Sequence, residues 1–438
     1  MKTISQNCNE LFSYIFTRGE TQDKRETKSL KYMREFAQLT NLNPHKVKII
    51  HIAGSKGKGS VGIHIASSLK ACGYKVGIYT SPHVSHWYER IQILGQAMDE
   101  KKLLKVGNYL QKKVIEHSKL TRYNFFEWLT LLAMHYFIES RCDFVVLETG
   151  LGGRFDSTNI FKPIATVTTL IEKEHTDILG DTLSEIAFQK GGIIKKGSMN
   201  FSYFQKNEVR KVLTHCAQFN QTKCYFLDSE ILSFESQITH HKAVLKGSKL
   251  PLEFETALMG KHQGYNAILA LMVIKQIFKK RFYKYEERVL SSFKQAFLPG
   301  RFQILSDCPL IIVDSAHTSE SVKTSCETVE QLSQGREVNI LFGCAQGKNM
   351  HSMLLSLSKL HSHMMITKPG SFKKSDIEGI ENMAHTLNIT TERVDDTYQA
   401  CEKFLEKKGD IYYIVGSFFL VDIFLQVFHK RFKDIIEL

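Results

Sequence analysis

No stretch of the chain is apolar for long enough to span a membrane, and its first residues, MKTISQNCNELFSYIF, lack the continuous apolar core of a secretion signal. The expectation is a cytoplasmic protein with no membrane partner. CxxC pairs are also missing. Nine cysteines, an odd number, are scattered without disulfide-framework or zinc-ligand spacing, which argues against a stapled scaffold and a structural zinc site. Nor is there an internal repeat, a low-complexity tract or a readable RNA- or DNA-binding module, so no nucleic-acid partner is expected. Acidic residues do not balance the basic ones: 45 Asp and Glu against 58 Lys and Arg leave a charge of +13. That charge favours anionic partners, and ATP with a polyanionic small substrate satisfies it as well as nucleic acid does.

What is present is an ordinary globular composition, 43% hydrophobic and 24% charged over 438 residues, enough for about two to three domains. Residues 1–46 read as helical, with TRGETQDKRETK as a loop between two apolar-periodic segments. Apolar runs at 47–53, 75–82, 143–150 and 164–171 read as strands. Helical patterns at about 60–72, 99–117, 124–140 and 183–197 alternate with them, which predicts a mostly parallel sheet. Short alternating runs over 222–258 suggest a small antiparallel appendage, followed by helices near 262–279 and 285–297. LPGR, 298–301, interrupts helix and is the expected hinge. Beyond it PLIIVD, VNILFG, HMMIT and DIYYIVG read as four buried strands of a second α/β domain. The expected division is 1–297, the hinge 298–301, and 302–438.

The chain is organised around HIAGSKGKGS, residues 51–60, a strand, a glycine loop and a helix start. Gly54, Gly57 and Gly59 permit backbone angles and close approaches that a Cβ would block, so that N–H groups can cradle a polyphosphate at the helix N-terminus. Lys58 supplies a cation and Ser60 a hydroxyl for magnesium. Glu148 stands at the carboxyl end of a predicted strand, ahead of the glycines of LETGLGGRFDST, where a carboxylate can face phosphates and hold magnesium. His175 follows another strand end.

The GxxGKGS spacing resembles the Mur ligase superfamily, and HIAGSKGKGS is similar to the HVAGTNGKGS loop of its folate branch, the folylpolyglutamate and dihydrofolate synthases. LETGLGGRFDSTNI resembles that family's EVGLGGRLDATN. EKEHTDILGDTLSEIAFQKGGIIK, TSPH, FFEWLT, MGKHQGYNA, PGRF, IIVDSAHTSES, FGCAQGKNM and VGSFFLV follow the order of further family motifs over essentially the whole chain. The resemblance implies a phosphate-loop ATPase domain of α/β class with a Rossmann-like α/β domain after it. It also implies an ATP-dependent ligation of L-glutamate to a folate carboxylate through an acyl phosphate. Polyglutamylation comes first, with activity on dihydropteroate beside it. A Mur-type ligase acting on a muramyl or other carboxylate, and a basic phosphate-loop NTPase acting on nucleic acid, are the alternatives.

Residue by residue, the resemblance places ATP on Gly54, Ser55, Gly57, Lys58, Gly59, Ser60, Asn266, Arg301 and Asp314, with His262 or Gln263 nearby. It places magnesium, as one or two ions, on Ser60, Ser81, Glu148 and His175, with a monovalent cation as a further cofactor. Lys190 matches a lysine that the family carbamylates. Lys58, Lys190, Asp314 and His317 are the implied catalytic residues, and Phe155, Asp156, Ser157 and Lys348 the substrate contacts. Glu127 in FFEWLT either orients a substrate or caps a helix. A monomer is expected. Glu174, Gln189 and Gly191 replace the family's Asp, Glu and Ala. In the later motifs Ser315 stands for a glycine, and Gly347 and Asn349 for two acidic residues.

Overall fold

The computed structural model describes residues 7–20, 29–117, 123–227, 232–236, 241–245, 253–360, 362–370 and 374–432. Two compact units form: Met1–Leu232 with Tyr265–Ala296, and Ser233–Gly264 with Phe297–Leu438. The excursion Ser233–Gly264, expected within the first domain, thus belongs to the second unit. Its strands pair locally with one another, and Met259 at its end packs into the second unit's core beside Phe302 and Leu310.

The first unit is built on a seven-stranded sheet. Its strands are β1 (Lys48–Ala53), β2 (Val76–Tyr79), β3 (Ile91–Ile93), β4 (Phe144–Glu148), β5 (Ala165–Thr168), β6 (Met199–Ser202) and β7 (Cys224–Phe226). They lie in the order β3-β2-β4-β1-β5-β6-β7, all parallel except β3. β1 and β4 are buried on both faces almost throughout, as strands covered by helices on either side must be. CYF, expected in the antiparallel appendage, is instead the parallel edge strand β7. The charged stretch expected as a loop near the N-terminus is partly taken up by the helix Cys8–Glu20, and its residues 21–28 lie outside the described residues.

The helix Lys58–Ala71 follows β1 and is buried along most of its length, with Gly62 close over Ile52, Ile78 and Val146 of the sheet. One of its buried side chains is His64, whose two ring nitrogens have no hydrogen-bond partner among the described residues. Burial holds it neutral, with its pKa lowered to about 3. A second layer over the sheet is apolar and aromatic: Leu11, Ile15 and Phe36 from the N-terminal helices meet Trp128, Leu132 and Phe137 of the helix Phe125–Glu139.

In the second unit β8 (Leu232–Ser236), β9 (His241–Leu245) and β10 (Glu253–Thr256) make the three-stranded sheet. A six-stranded sheet carries the rest: β11 (Gln303–Asp307), β12 (Leu310–Asp314), β13 (Val338–Phe342), β14 (Ser362–Ile366), β15 (Thr390–Arg393) and β16 (Ile411–Val415). The order is β11-β12-β16-β13-β14-β15, parallel except for β11. Four of these strands are the buried runs read from sequence. The two additional ones, β11 and β15, are edges with mixed exposure, and their polar residues QILSD and TTER carry no apolar run.

Candidate active site

Four neighbouring parallel strands, β2-β4-β1-β5, end on the same edge of the first sheet. Their carboxyl ends therefore bring together segments far apart in sequence: Ser81 after β2, Glu148 at the end of β4, the glycine loop after β1, and Glu174 with His175 after β5. The loop is fastened to the segment following β5. Ser55 N–H donates to Leu170 O at 2.8 Å and Lys56 N–H to the same oxygen at 3.2 Å. Ser55 Oγ donates to Glu172 O and accepts from Glu172 N–H. Ser55, expected among the nucleotide contacts, thus has its amide and hydroxyl committed to the fold, and so acts on the loop's shape. The amides that open the helix, those of Gly57, Lys58, Gly59 and Ser60, precede its first bond, Val61 N–H to Gly57 O, and make a helix start of the kind that attracts anions.

Two glycines are required here. Gly54 (φ 149°) lies against Thr169, whose side chain a Cβ would strike, and Gly57 (φ 84°) has Asn266 Oδ1 2.7 Å from where its Cβ would lie. The buried Asn266, on the helix Lys261–Phe278, is therefore packed on the loop itself.

Beneath the loop two ammonium groups share one acceptor. Lys58 Nζ and Lys190 Nζ each donate to Gly54 O at 2.9 Å, and Lys190 also pairs with Glu174 Oε1 at 2.7 Å. Lys190 is 1% exposed. Burial and then the nearby charge of Lys58 lower its pKa to about 8, against the opposing pull of Glu174. At Glu174 burial raises the pKa, but the charges of Lys190 and Lys58 outweigh it and the net shift is downward.

Glu148 is 4% exposed and accepts from Ser81 N–H at 3.3 Å. Arg90, half-buried, feels the charge of Glu148 and donates from Nε to His83 Nδ1 at 2.7 Å. His175 is exposed and opens the short helix Thr176–Leu179 in a left-handed conformation (φ 47°).

Two expected substrate contacts serve the fold first. Asp156 is buried, with Oδ2 accepting from Gly150 and Leu151 N–H and Oδ1 from Thr158 N–H and its hydroxyl. These bonds fill the four acceptor positions of a carboxylate, and Asp156 organises the loop. Glu127 makes the cap that is one of its two readings: it accepts from Asn124 N–H while Asn124 accepts from Glu127 N–H. Ser157 is buried against Thr130, 2.8 Å between hydroxyls, whereas Phe155 on the same loop is exposed.

At the carboxyl edge of the second sheet, Asp314 ends β12 and its carboxylate accepts from Ala316 N–H. Burial raises its pKa, and hydrogen bonding from Ser325 and the charge of Arg301 oppose the rise. His317 Nδ1 lies 2.9 Å from Ser315 O. Ser315 is fully buried, and among the described residues its hydroxyl has no hydrogen-bond partner. Lys348 is exposed in the loop ahead of the helix Met350–Leu357, which Asn349 caps.

The family model for the Mur ligase middle domain matches residues 52–274, and the model for the Mur ligase glutamate ligase domain matches residues 300–418. A curated relative, dihydrofolate synthase/folylpolyglutamate synthase of Bacillus subtilis, is 30% identical over 403 residues, covering 89% of this chain and 91% of its own. The chain belongs to the Mur ligase family, in its folylpolyglutamate and dihydrofolate synthase branch. Folylpolyglutamate synthase of Thermotoga maritima superposes on this Mur ligase with a TM-score of 0.80 at 26% identity, covering 95% of this chain and 96% of the other. Escherichia coli FolC, in complex with DHPP and ADP, has the same fold, with a TM-score of 0.80 at 23% identity over 98% of this chain and 100% of its own.

The donor set of the Mur ligase fits magnesium. Ser60 and Glu148 are both buried at the loop edge, and with Ser81 they offer oxygen donors. Among the described residues no group of three or more His, Cys, Asp or Glu side chains could hold a metal. Hydroxyl oxygens beside one carboxylate suit an ion usually held by one or two carboxylates together with substrate phosphates. Sequence reasoning assigned no role to Arg90 or Phe418. Arg90 lies in ERIQILG at a turn into a strand, and Phe418 is the first residue of the helix Phe418–Arg431 after β16. Both positions border strand ends, the one signal that could have drawn attention to them.

Proposed function

We propose that this Mur ligase joins the amine of L-glutamate to a folate carboxylate at the expense of ATP, extending a folate that already bears glutamate. The observation that carries the reading is the glycine loop fastened at a parallel-sheet edge beside Lys58, Lys190 and Glu148. The helix-opening amides of Gly57–Ser60 and the Lys58 ammonium receive the phosphates, and Asn266 packs beside them as a nucleotide contact. A folate carboxylate oxygen attacks the γ-phosphorus, the bond to the bridging oxygen breaks, and ADP leaves. The glutamate amine then attacks the acyl carbon, the C–O bond to phosphate breaks, orthophosphate leaves, and the amine's proton passes to solvent. Ser60, Ser81 and Glu148, with His175 at the same edge, would hold a magnesium ion, which would supply neutralisation of phosphate charge.

Arg301, Asp314, His317 and Lys348 of the second unit are proposed to serve the phosphates and the incoming glutamate. Phe155 and Ser157, on the loop that Asp156 holds, are proposed to face the folate. Burial gives Lys190 a larger free-amine fraction near neutral pH, the form that carbon dioxide carbamylates, so carbamylation belongs to the same proposal. A second reading, bifunctionality with dihydropteroate as an additional substrate, is favoured by the double name of the Bacillus subtilis relative.

The test is glutamate-dependent phosphate release from ATP with tetrahydrofolate, dihydropteroate or a muramyl peptide as acceptor. Release stimulated by tetrahydrofolate is expected, and release with dihydropteroate as well would establish bifunctionality. Absence of any folate-dependent release overturns the proposal, and release with the muramyl acceptor alone replaces it.

A further inference from the structure

Two side chains from separate segments of the second unit meet at the aromatic ring of a third. Arg301 follows the Pro299–Gly300 turn, His317 follows β12, and Phe418 opens the helix after β16. The Arg301 guanidinium carbon lies 4.5 Å from the centre of the Phe418 ring, and the His317 ring centre 5.3 Å from it. A planar, permanently charged guanidinium at that distance is attracted by the ring's negative face. β12 and β16 are adjacent parallel strands, paired from Leu310↔Ile411 to Asp314↔Val415, so the turns carrying His317 and Phe418 leave the sheet side by side. Gly416 N–H donates to Ala316 O and ties those turns together. Ser315 N–H donates to Gly300 O, which fixes the turn before Arg301 to the same place.

We propose that Phe418 is a positioning residue, a platform that holds Arg301 and His317 in their working arrangement for phosphoryl and glutamate transfer. In this role it acts through Arg301 and His317. Its contribution lies in the ring face, which an aliphatic side chain of similar size does not offer. The platform rests on the ligase function proposed above, which gives Arg301 and His317 their roles.

The test compares Phe418→Leu, Phe418→Met and Phe418→Trp in the full chain, with steady-state kinetics varying ATP and thermal melting as the control for folding. Phe418→Leu and Phe418→Met are expected to melt near the wild type and to lose about tenfold in kcat/KM for ATP, whereas Phe418→Trp keeps it within about twofold. In an Arg301→Ala background, Phe418→Leu should add little, because the group it positions is gone. Wild-type kinetics in both aliphatic variants, equal loss in Phe418→Trp, or a full tenfold added loss in the Arg301→Ala background would each overturn the platform. If Arg301→Ala itself keeps full turnover, the role given to Arg301 falls and the platform with it. If folate-dependent turnover is absent from the wild type, the ligase proposal fails first.

Discussion

Lys58→Ala is expected to lower glutamate-dependent phosphate release by about 10³-fold, the scale on which a charge clamp on a transferring phosphoryl group acts. The melting temperature should stay close to that of the wild type. Lys58 is the first residue of its helix and is not fully buried, and alanine suits a helix. The loop keeps its shape without the lysine, since Ser55 and Lys56 remain bonded to Leu170 and Glu172. What disappears is an ammonium group held at the mouth of the helix by Gly54 O. Phosphoryl transfer leaves little covalent work to the protein, so positioning and charge neutralisation carry most of the rate. Turnover within tenfold of the wild type, in a variant that melts normally, would remove Lys58 from the proposed mechanism.

Glu148→Gln should lower kcat by about 100-fold or more at ordinary magnesium concentrations, with a rightward shift of the magnesium dependence. The change is nearly isosteric. A glutamine oxygen can still accept from Ser81 N–H, so the strand end keeps its geometry. The negative charge is lost, however, and with it the strongest oxygen donor at the loop edge. Arg90 also loses a neighbouring counter-charge, which predicts a modest fall in melting temperature as a separate effect. A magnesium titration superimposable on that of the wild type would show that Glu148 does not hold the ion.

The parts of this fold that were legible in the sequence are those where one local signal suffices. Glycines and a lysine between a buried strand and a helix predict the loop, and apolar runs such as FVVLE and LIIVD predict central strands. Edge strands escaped because only part of their surface is covered: β11 and β15 have no reason to be apolar. The alternating runs of Ser233–Gly264 predict an antiparallel appendage but not the unit it clusters with, which depends on contacts distant in sequence such as Met259 beside Phe302 and Leu310. The same division holds at the site. Glu148 and Lys58 announce themselves by residue type at a strand end. That Ser55 fastens the loop, that Asp156 satisfies four donors on three neighbours and that Phe418 lies under Arg301 depend on partners brought together only by folding.

The oxygen of Gly54 that receives both Lys58 and Lys190 has a further consequence, in the exchange of protons with solvent. In the uncarbamylated protein Lys190 loses its proton at about pH 8, well below the 10.5 of a free lysine, because it is buried beside another cation. A polyanion arriving at the loop favours the charged form and raises that value, so near pH 8 each binding event should draw protons from the buffer. The sign follows directly: nucleotide affinity should weaken as pH rises through 8, where the unliganded protein has already released the proton and must regain it. Calorimetry in two buffers of different ionisation enthalpy would measure the uptake, and identical heats in both would show that Lys190 stays in one protonation state throughout.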